Sequence, residues 1–470
     1  MNAIITRFAP SPTGNLHIGS VRTALINFIL TKQSKIKYSE SKFLLRIEDT
    51  DKKRSTLKYK ENIIKNLNWL NINYDDEPYI QSSNNSKHQE IAFELIKKNK
   101  AFKCICSIET LEKKRKENRK NKNKNKRLCN TCENNSSIQS LKKDFVIRIK
   151  IPLEGEIIVK DLIQGKVKVN NKEIDDFILL RKDRTPTYML SVVVDDFMMN
   201  VNLIIRGDDH LNNTFRQLYI YKNINWPIPR YAHLPLIHGE DGKKLSKRHG
   251  AVDIQEFKEL GYLRESIINN LILLGWSAGR KEEIIEIEEI LQLFKFENLS
   301  KSSSIFSYEK LNFFNNHFIQ KDKDYNKLLL YCKNNLVLKN YIKTDQEKFF
   351  KIFSTYKKNI HFYKKLENIC LNYFDINFST NNNKLLTSKF NILLNEFFAI
   401  LNDIKIWSTD ILEKEIKKFV TKKDIKFILF GKPMRLLLIN SENGPSISNI
   451  LFILGKKTSI KRIKNYITGT

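Results

Sequence analysis

The sequence lacks any apolar run long enough to cross a bilayer, which takes about 20 such residues. Its first residues also lack a charged segment followed by an apolar one, so no secretory signal is read there. Both absences point to a cytosolic chain. Cysteine is scarce: Cys104, Cys106, Cys129, Cys132, Cys332 and Cys370 are the six in 470 residues. Clustered cysteines in a cytosolic chain suggest a metal before they suggest disulfides. Acidic residues are outnumbered, 52 against 82 Lys and Arg, for a net charge of +30. Such a balance attracts phosphate polymers in a salt-sensitive way. Lys, Asn, Ile and Phe are enriched together, however, and a compositional bias of that kind raises charge without functional demand. The length allows several domains and a sizeable core.

The chain is organised around its opening stretch. Ala3 to Phe8 is short and mostly apolar and reads as a buried strand. Pro10, Pro12 and Gly14 then impose a tight loop. From Ser20 the residues Val21, Ala24, Leu25, Phe28 and Ile29 fall on one face of a helix. The loop delivers His17 and the Gly19 backbone to a helix N-terminus, whose unpaired N–H groups and dipole suit phosphate.

Lys42 to Ile47 reads as a second buried strand, ending in Glu48-Asp49-Thr50-Asp51. Acidic residues past a parallel strand's carboxyl end lie where open α/β sheets bind ligands, although a solvated turn with Thr50 as helix cap is the plainer reading. Residues 77 to 187 interrupt the pattern. There, Cys104, Cys106, Cys129 and Cys132 form two close pairs that could make a closed tetrahedral zinc site; four unrelated thiols is the alternative. The Lys/Asn-rich stretch Asn118 to Arg127 between them reads as a mobile loop. From Thr185 the sheet pattern resumes with the apolar segment Leu190 to Val194 and the next strand, Asn202 to Ile205, which ends in Arg206-Gly207-Asp208-Asp209-His210. Arg206 and Arg7 are candidates to receive carboxylates through paired hydrogen bonds, or are surface ion pairs. An amino acid with two carboxylates needs two such cations. Gly239 to Gly250 holds Lys243, Lys244, Lys247 and Arg248 between glycines, a basic loop fit to close on a polyphosphate. After residue 320 the chain reads as helices at 328–338, 349–373, 385–401 and 410–419, with Ser408 or Thr409 capping the last.

Two of these strings carry a resemblance. PSPTGNLHIGS resembles the "HIGH" signature, and KLSKR the "KMSKS" element, of class I aminoacyl-tRNA synthetases in their bacterial glutamyl form. RIEDTD and the helical tail support it, so the resemblance covers nearly the whole chain. It implies an α/β fold: a Rossmann-type parallel sheet split by an insertion domain, then an all-α anticodon-binding domain. The implied boundaries are 1–78 and 188–253 for the catalytic halves, 79–187 for the acceptor-end insertion, 254–320 for a stem-contact segment and 321–470 for the anticodon domain.

The resemblance also implies residues and partners. His17, Lys244 and Lys247 are expected in catalysis. Pro10, Ser11, His17, Gly19, Ser20, Lys244, Leu245, Ser246, Lys247 and Arg248 are expected at ATP. Arg7, Ser11, Glu48, Tyr188 and Arg206 are expected at glutamate, with Glu48 on the substrate amine. Val192 stands where some relatives have a pocket Asn, and Thr131 where some have a zinc-binding His. The implied partners are tRNA(Glu), L-glutamate, ATP with Mg²⁺ and one structural Zn²⁺, without DNA or membrane, for a monomer. The implied reaction forms glutamyl-adenylate and transfers glutamate to the tRNA 3′ end. The competing readings are an enzyme that also charges tRNA(Gln) and a tRNA-binding protein without catalysis.

Overall fold

The computed structural model describes residues 3–51, 53–120, 129, 131–250, 252–375 and 385–468. The chain divides into two compact units, Met1–Lys258 with Arg264–Leu311, and Glu259–Leu263 with Asn312–Thr470.

In the first unit, the strands Ile5–Phe8, Lys42–Ile47 and Asp75–Ile80 run parallel in that order. A four-stranded sheet has the order Gly165–Asn170, Glu156–Asp161, Arg230–Leu234, Leu203–Gly207, parallel except at the 156–170 hairpin. Asn202 joins the two sheets: its N–H donates to the Ile5 carbonyl at 3.1 Å and its side chain bonds Ile5 N at 3.0 Å and the Ala3 carbonyl at 2.8 Å. The parallel strands thus run outward in both directions from the Ile5–Phe8/Leu203–Gly207 seam. The crevice at the carboxyl ends of such a seam is where open α/β sheets take ligands.

Helix Ile18–Lys35 packs across this seam, touching the strands at 5–8, 42–47 and 203–207. Val21, Ala24, Leu25, Phe28 and Ile29 are all buried, as their spacing predicts. The helix starts at Ile18, before Ser20, because the His17 ring accepts from Gly19 N at 3.1 Å and caps it. Thr56, not Thr50, caps the next helix, Leu57–Trp69, through Tyr59 N at 3.3 Å.

The inserted stretch builds a three-stranded antiparallel sheet from Ala101–Cys104, Val146–Ile149 and Ile178–Leu180. It also supplies the hairpin that extends the parallel sheet. One apolar cluster joins Leu95, Ile147, Ile157, Leu190 and Tyr231, so the insertion shares its core with the strands that carry the crevice. The segment Leu190 to Val194 is helical rather than part of a sheet, lying in helix Tyr188–Met198. This helix packs against helices Asn85–Lys97 and Leu211–Ile224, and Ser191, Asp195 and Asp196 are buried along with its valines. A helix enclosed on all sides has no amphipathic period, and its β-branched run imitates a strand. Among the described residues no helix is long and apolar enough to cross a membrane.

The second unit is helical. The segment 328–338 is two helices, Asn326–Asn334 and Leu336–Thr344, because the Asn335 side chain turns to cap the second through Leu338 N at 3.0 Å. The segment 349–373 likewise breaks into Gln346–Tyr356 and Lys365–Phe374. Ser408 caps Thr409–Lys422 as expected. Arg462, buried in helix Lys456–Thr468, donates to the carbonyls of Asn372 (2.7 Å), Asp375 (3.1 Å), Tyr373 and Leu438. It thereby satisfies last-turn carbonyls of Lys365–Phe374 and Phe427–Ile439. Burial pushes its pKa down to about 10, which leaves it charged at neutral pH. Replacing Arg462 by Leu strands those carbonyls, with an expected loss of about 3 kcal/mol in urea unfolding.

Candidate active site

A cleft of about 830 Å³ opens at the carboxyl ends of Ile5–Phe8 and Leu203–Gly207. It gathers Arg7, Pro10, Ser11, His17, Gly19, Ser20, Glu48, Tyr188, Arg206, Lys244, Leu245 and Ser246, which come from widely separated parts of the sequence. The proline loop is held in place by backbone bonds: Glu48 N donates to the Pro10 carbonyl (3.0 Å) and Thr56 N to that of Pro12 (3.2 Å). Its far end is stitched to the segment that follows the basic loop. Ile18 N donates to the Val252 carbonyl, Ile254 N to that of Leu16, both at 2.9 Å, and Asn15 bonds Asp253 at 3.1 Å.

Below the cleft lies a charge cluster. Arg7 Nε donates to Asp196 at 2.9 Å, Arg46 also donates to Asp196, and Arg46 Nη2 donates to Glu48 at 3.0 Å. Arg7, Arg46 and Asp196 are buried. Burial opposes the Asp196 charge, but Arg46 and Arg7 outweigh it and hold its pKa below the usual carboxylate range. At Glu48 burial wins and raises the pKa, with Arg46 and Arg7 opposing. Arg46 and Asp196 escaped the sequence reading. The signal was present: Arg46 and the pair Asp195-Asp196 are charges set within mostly apolar runs, KFLLRI and MLSVVVDDF. Asp195 is also buried and accepts from Tyr79, Gln81, Asn84 and His88. It fastens the helix to the inserted stretch.

On the opposite wall, Arg206 Nη1 approaches Tyr188 Oη at 3.4 Å, and that hydroxyl lies 3.0 Å from His210 Nδ1. Burial and then Arg206 push the His210 pKa down to about 4, so its ring is neutral at physiological pH. Asp209, His210 and Asn213 also line the cleft and were not singled out from sequence. Val192 is buried and does not line it.

The basic loop folds back on itself. Asp241 accepts from Lys243 N (2.9 Å), lies 3.0 Å from His249 Nε2 and pairs with Arg248 at 3.5 Å. Lys244 faces the cleft and meets Asp209 at 3.4 Å. Arg248, expected at the nucleotide, is exposed beside Asp241 and is not among the residues lining the cleft. Lys247 opens the short turn Lys247–His249. At Gly250, φ is +107° and an added Cβ would meet Tyr308 Oη at 3.0 Å, so only glycine fits this exit.

Elsewhere in this unit the sulfurs of Cys104, Cys106, Cys129 and Cys132 lie within 4.8 Å of one another. The pairs Cys104–Cys129, Cys106–Cys129 and Cys106–Cys132 are 3.5, 3.3 and 3.6 Å apart. Tetrahedral Zn–S bonds of about 2.3 Å place sulfurs about 3.8 Å apart, so the donor set fits zinc. The Cys129 sulfur, then the backbone at Cys106 and Arg148, outweigh burial and pull the Cys104 pKa down to about 5. Asp176 accepts from Cys129 N at 3.1 Å and its own carbonyl is held by Arg148 at 2.7 Å. The expected mobile loop 118–127 begins within helix Ile108–Lys120, and its remainder lies outside the described residues.

Residues 3–313 match the family model "tRNA synthetases class I (E and Q), catalytic domain". The chain belongs to that family. Residues 327–467 match a second model, "Anticodon binding domain". Among curated relatives, Glutamate–tRNA ligase 2 of Ehrlichia chaffeensis is 41% identical, with 98% of each chain covered. Glutamate–tRNA ligase of Pelagibacter ubique is 38% identical, covering 99% of this chain and all of the relative. A solved structure described as a glutamate tRNA ligase from Elizabethkingia meningosepticum in complex with its amino acid aligns with a TM-score of 0.81 at 28% identity, with 99% of each chain covered. For this synthetase-family chain, Asp196→Ala is expected to leave Arg7 and Arg46 buried without their shared anion and to cost about 3–5 kcal/mol in urea unfolding at pH 7. The Asp196 pKa is lower in the folded state than its unfolded value of about 3.9. Its contribution is therefore fully present above that value and lost as pH falls further, so the difference between wild type and variant should shrink below pH 4.

Proposed function

We propose that the chain ligates L-glutamate to tRNA(Glu) in two steps: ATP and glutamate give glutamyl-adenylate and pyrophosphate, and the terminal ribose hydroxyl of the tRNA then attacks the activated carbonyl. The observation that carries this reading is that one cleft is lined by two arginines, Arg7 and Arg206, and by both phosphate-seeking loops. The arginines suit an amino acid with two carboxylates. Glu48 suits its amine, since an arriving ammonium offsets the burial that raises the Glu48 pKa, and Tyr188 and Ser11 complete the pocket.

ATP lies between the His17–Gly19–Ser20 helix start, with Pro10 beside it, and the loop carrying Lys244, Leu245, Ser246 and Lys247. As the α-carboxylate attacks the α-phosphorus, charge builds on the departing pyrophosphate. His17, Lys244 and Lys247 lower the barrier by meeting that charge, without a covalent intermediate on the protein. Mg²⁺ supplies additional neutralisation of the phosphates. Arg248 follows on the same loop, its exposed pair with Asp241 leaving it able to turn to the phosphates. The inserted stretch 79–187 holds the tRNA acceptor end, 254–320 contacts its stem and 321–470 reads the anticodon, in a cytoplasmic monomer. The four cysteines hold one structural zinc with no open position.

Charging assays on purified tRNA(Glu) and tRNA(Gln) test the assignment. Glutamate transfer to tRNA(Glu) alone is expected; transfer to neither overturns it, and transfer to both makes the enzyme the broader type. Lys247→Ala should cut glutamate-dependent ATP–pyrophosphate exchange, measured with tRNA present, by roughly 100-fold or more while tRNA affinity stays the same. An equal loss in both would mean the loop serves tRNA instead. Metal analysis of chelator-free protein should give one zinc per chain, and Cys129→Ser should lower that stoichiometry.

A further inference from the structure

The guanidinium of Arg206 is fixed on two of its three nitrogens. Nη2 donates to Thr214 Oγ1 at 2.7 Å and Gln217 Oε1 at 2.9 Å. Nε donates to His233 Nε2 at 3.2 Å. Among the described residues Nη1 meets the Tyr188 hydroxyl alone, at 3.4 Å, and is the edge available to a ligand. His233 is fully buried, and its other nitrogen, Nδ1, lies 2.6 Å from Asp161 Oδ2. Because Nε2 accepts from an obligate donor, the ring proton sits on Nδ1 and is donated to Asp161.

Asp161 ends strand Glu156–Asp161, and its Oδ1 accepts from the backbone N–H of Ile163 (2.9 Å), Gln164 (2.8 Å) and His233 (3.2 Å). The carboxylate is thus immobilised and selects the tautomer that turns a lone pair toward Arg206. Burial and the neighbouring Arg206 keep the ring pKa low although Asp161 opposes them, in keeping with a neutral imidazole. At Asp161, burial is outweighed by His233 and the backbone N–H groups.

We propose that Asp161 and His233 are positioning residues for substrate selection: through the imidazole they set the angle at which Arg206 presents Nη1 to a substrate carboxylate. This rests on the reading of Arg206 as a carboxylate clamp. It also gives the inserted stretch a part in amino-acid recognition, because Asp161, with Ile163 and Gln164 that hold it, lies there and outside the strands and helices at 188–234. Losing the Nε anchor leaves the guanidinium held at Nη2 alone, by Thr214, Gln217 and the His210 carbonyl, so its plane can tilt about that edge, and small displacements at such sites cost affinity steeply.

The test is steady-state aminoacylation by the full chain with its tRNA, varying glutamate and then ATP, beside melting temperatures. Asp161→Asn offers the ring an N–H, drives its proton to Nε2 and sets donor against donor at Arg206. His233→Leu removes the acceptor outright. Both should raise KM for glutamate about 10-fold or more and leave KM for ATP unchanged. His233→Gln keeps an oxygen able to accept from Arg206 and should recover most of the glutamate affinity. A merely structural role would move both KM values with the melting temperature and make Gln no better than Leu, which overturns the proposal. Arg206→Ala separates the two levels. If it raises the glutamate KM while Asp161→Asn and His233→Leu do not, the positioning role fails alone; if it has no effect, the clamp assignment fails and the positioning role with it.

Discussion

Two arginines share one buried carboxylate, and the site is assembled around that sharing. Asp196 stands on helix Tyr188–Met198, Arg7 on the first strand and Arg46 on the second. With Glu48 the cluster holds two positive and two negative groups, the balance that a low-dielectric interior requires. The cluster ties three elements at the point where they meet the cleft. It also decides how Arg7 is used: its Nε faces the anion, while its side chain still lines the cavity.

A parallel arrangement serves Arg206. Neither arginine relies on its own long side chain for direction: Arg7 is held by Asp196, and Arg206 by Thr214, Gln217 and His233, whose own partner Asp161 is fixed by backbone N–H groups. That suits recognition of a flexible, doubly charged amino acid, since the entropy of ordering the cations is lost on folding and not again on binding. The two arrangements sit on opposite sides of the seam that Asn202 closes.

The two loops and the identity of the pocket arginines were legible because short-range chemistry defines them: prolines fix a turn, glycines flank cations, and acidic or basic residues follow strand ends. Arg46, Asp196 and His233 were harder, since their roles arise from partners far away in sequence; Arg46 and Asp196 are 150 residues apart, Arg7 and Asp196 189. Local patterns also misled where tertiary context overrides them. Helix Tyr188–Met198 is buried on every face from Leu190 to Asp196, and its run of valines imitates a strand. Asn335 looked like a helix interior position and is a cap. For helix Tyr188–Met198 the deciding contacts come from helices far along the chain, whereas the cap at Asn335 is made three residues away.

The stitching of residues 15–18 to residues 252–254 has a kinematic consequence. The basic loop leaves the sheet at Ile237–His238, which is paired to Ser304–Ile305, and returns at Val252, which is bonded to Ile18. Both ends are therefore anchored within the same unit, one of them on the turn that carries His17. Between them the loop doubles back as a hairpin: Lys244 bridges His238, Leu245 N donates to the Ile237 carbonyl at 3.0 Å and Gly239 N to that of Lys243 at 2.8 Å. The approach of Lys244 to the helix start is thus set jointly by the strand at Ile237–His238 and by the seam that ties Val252 to Ile18.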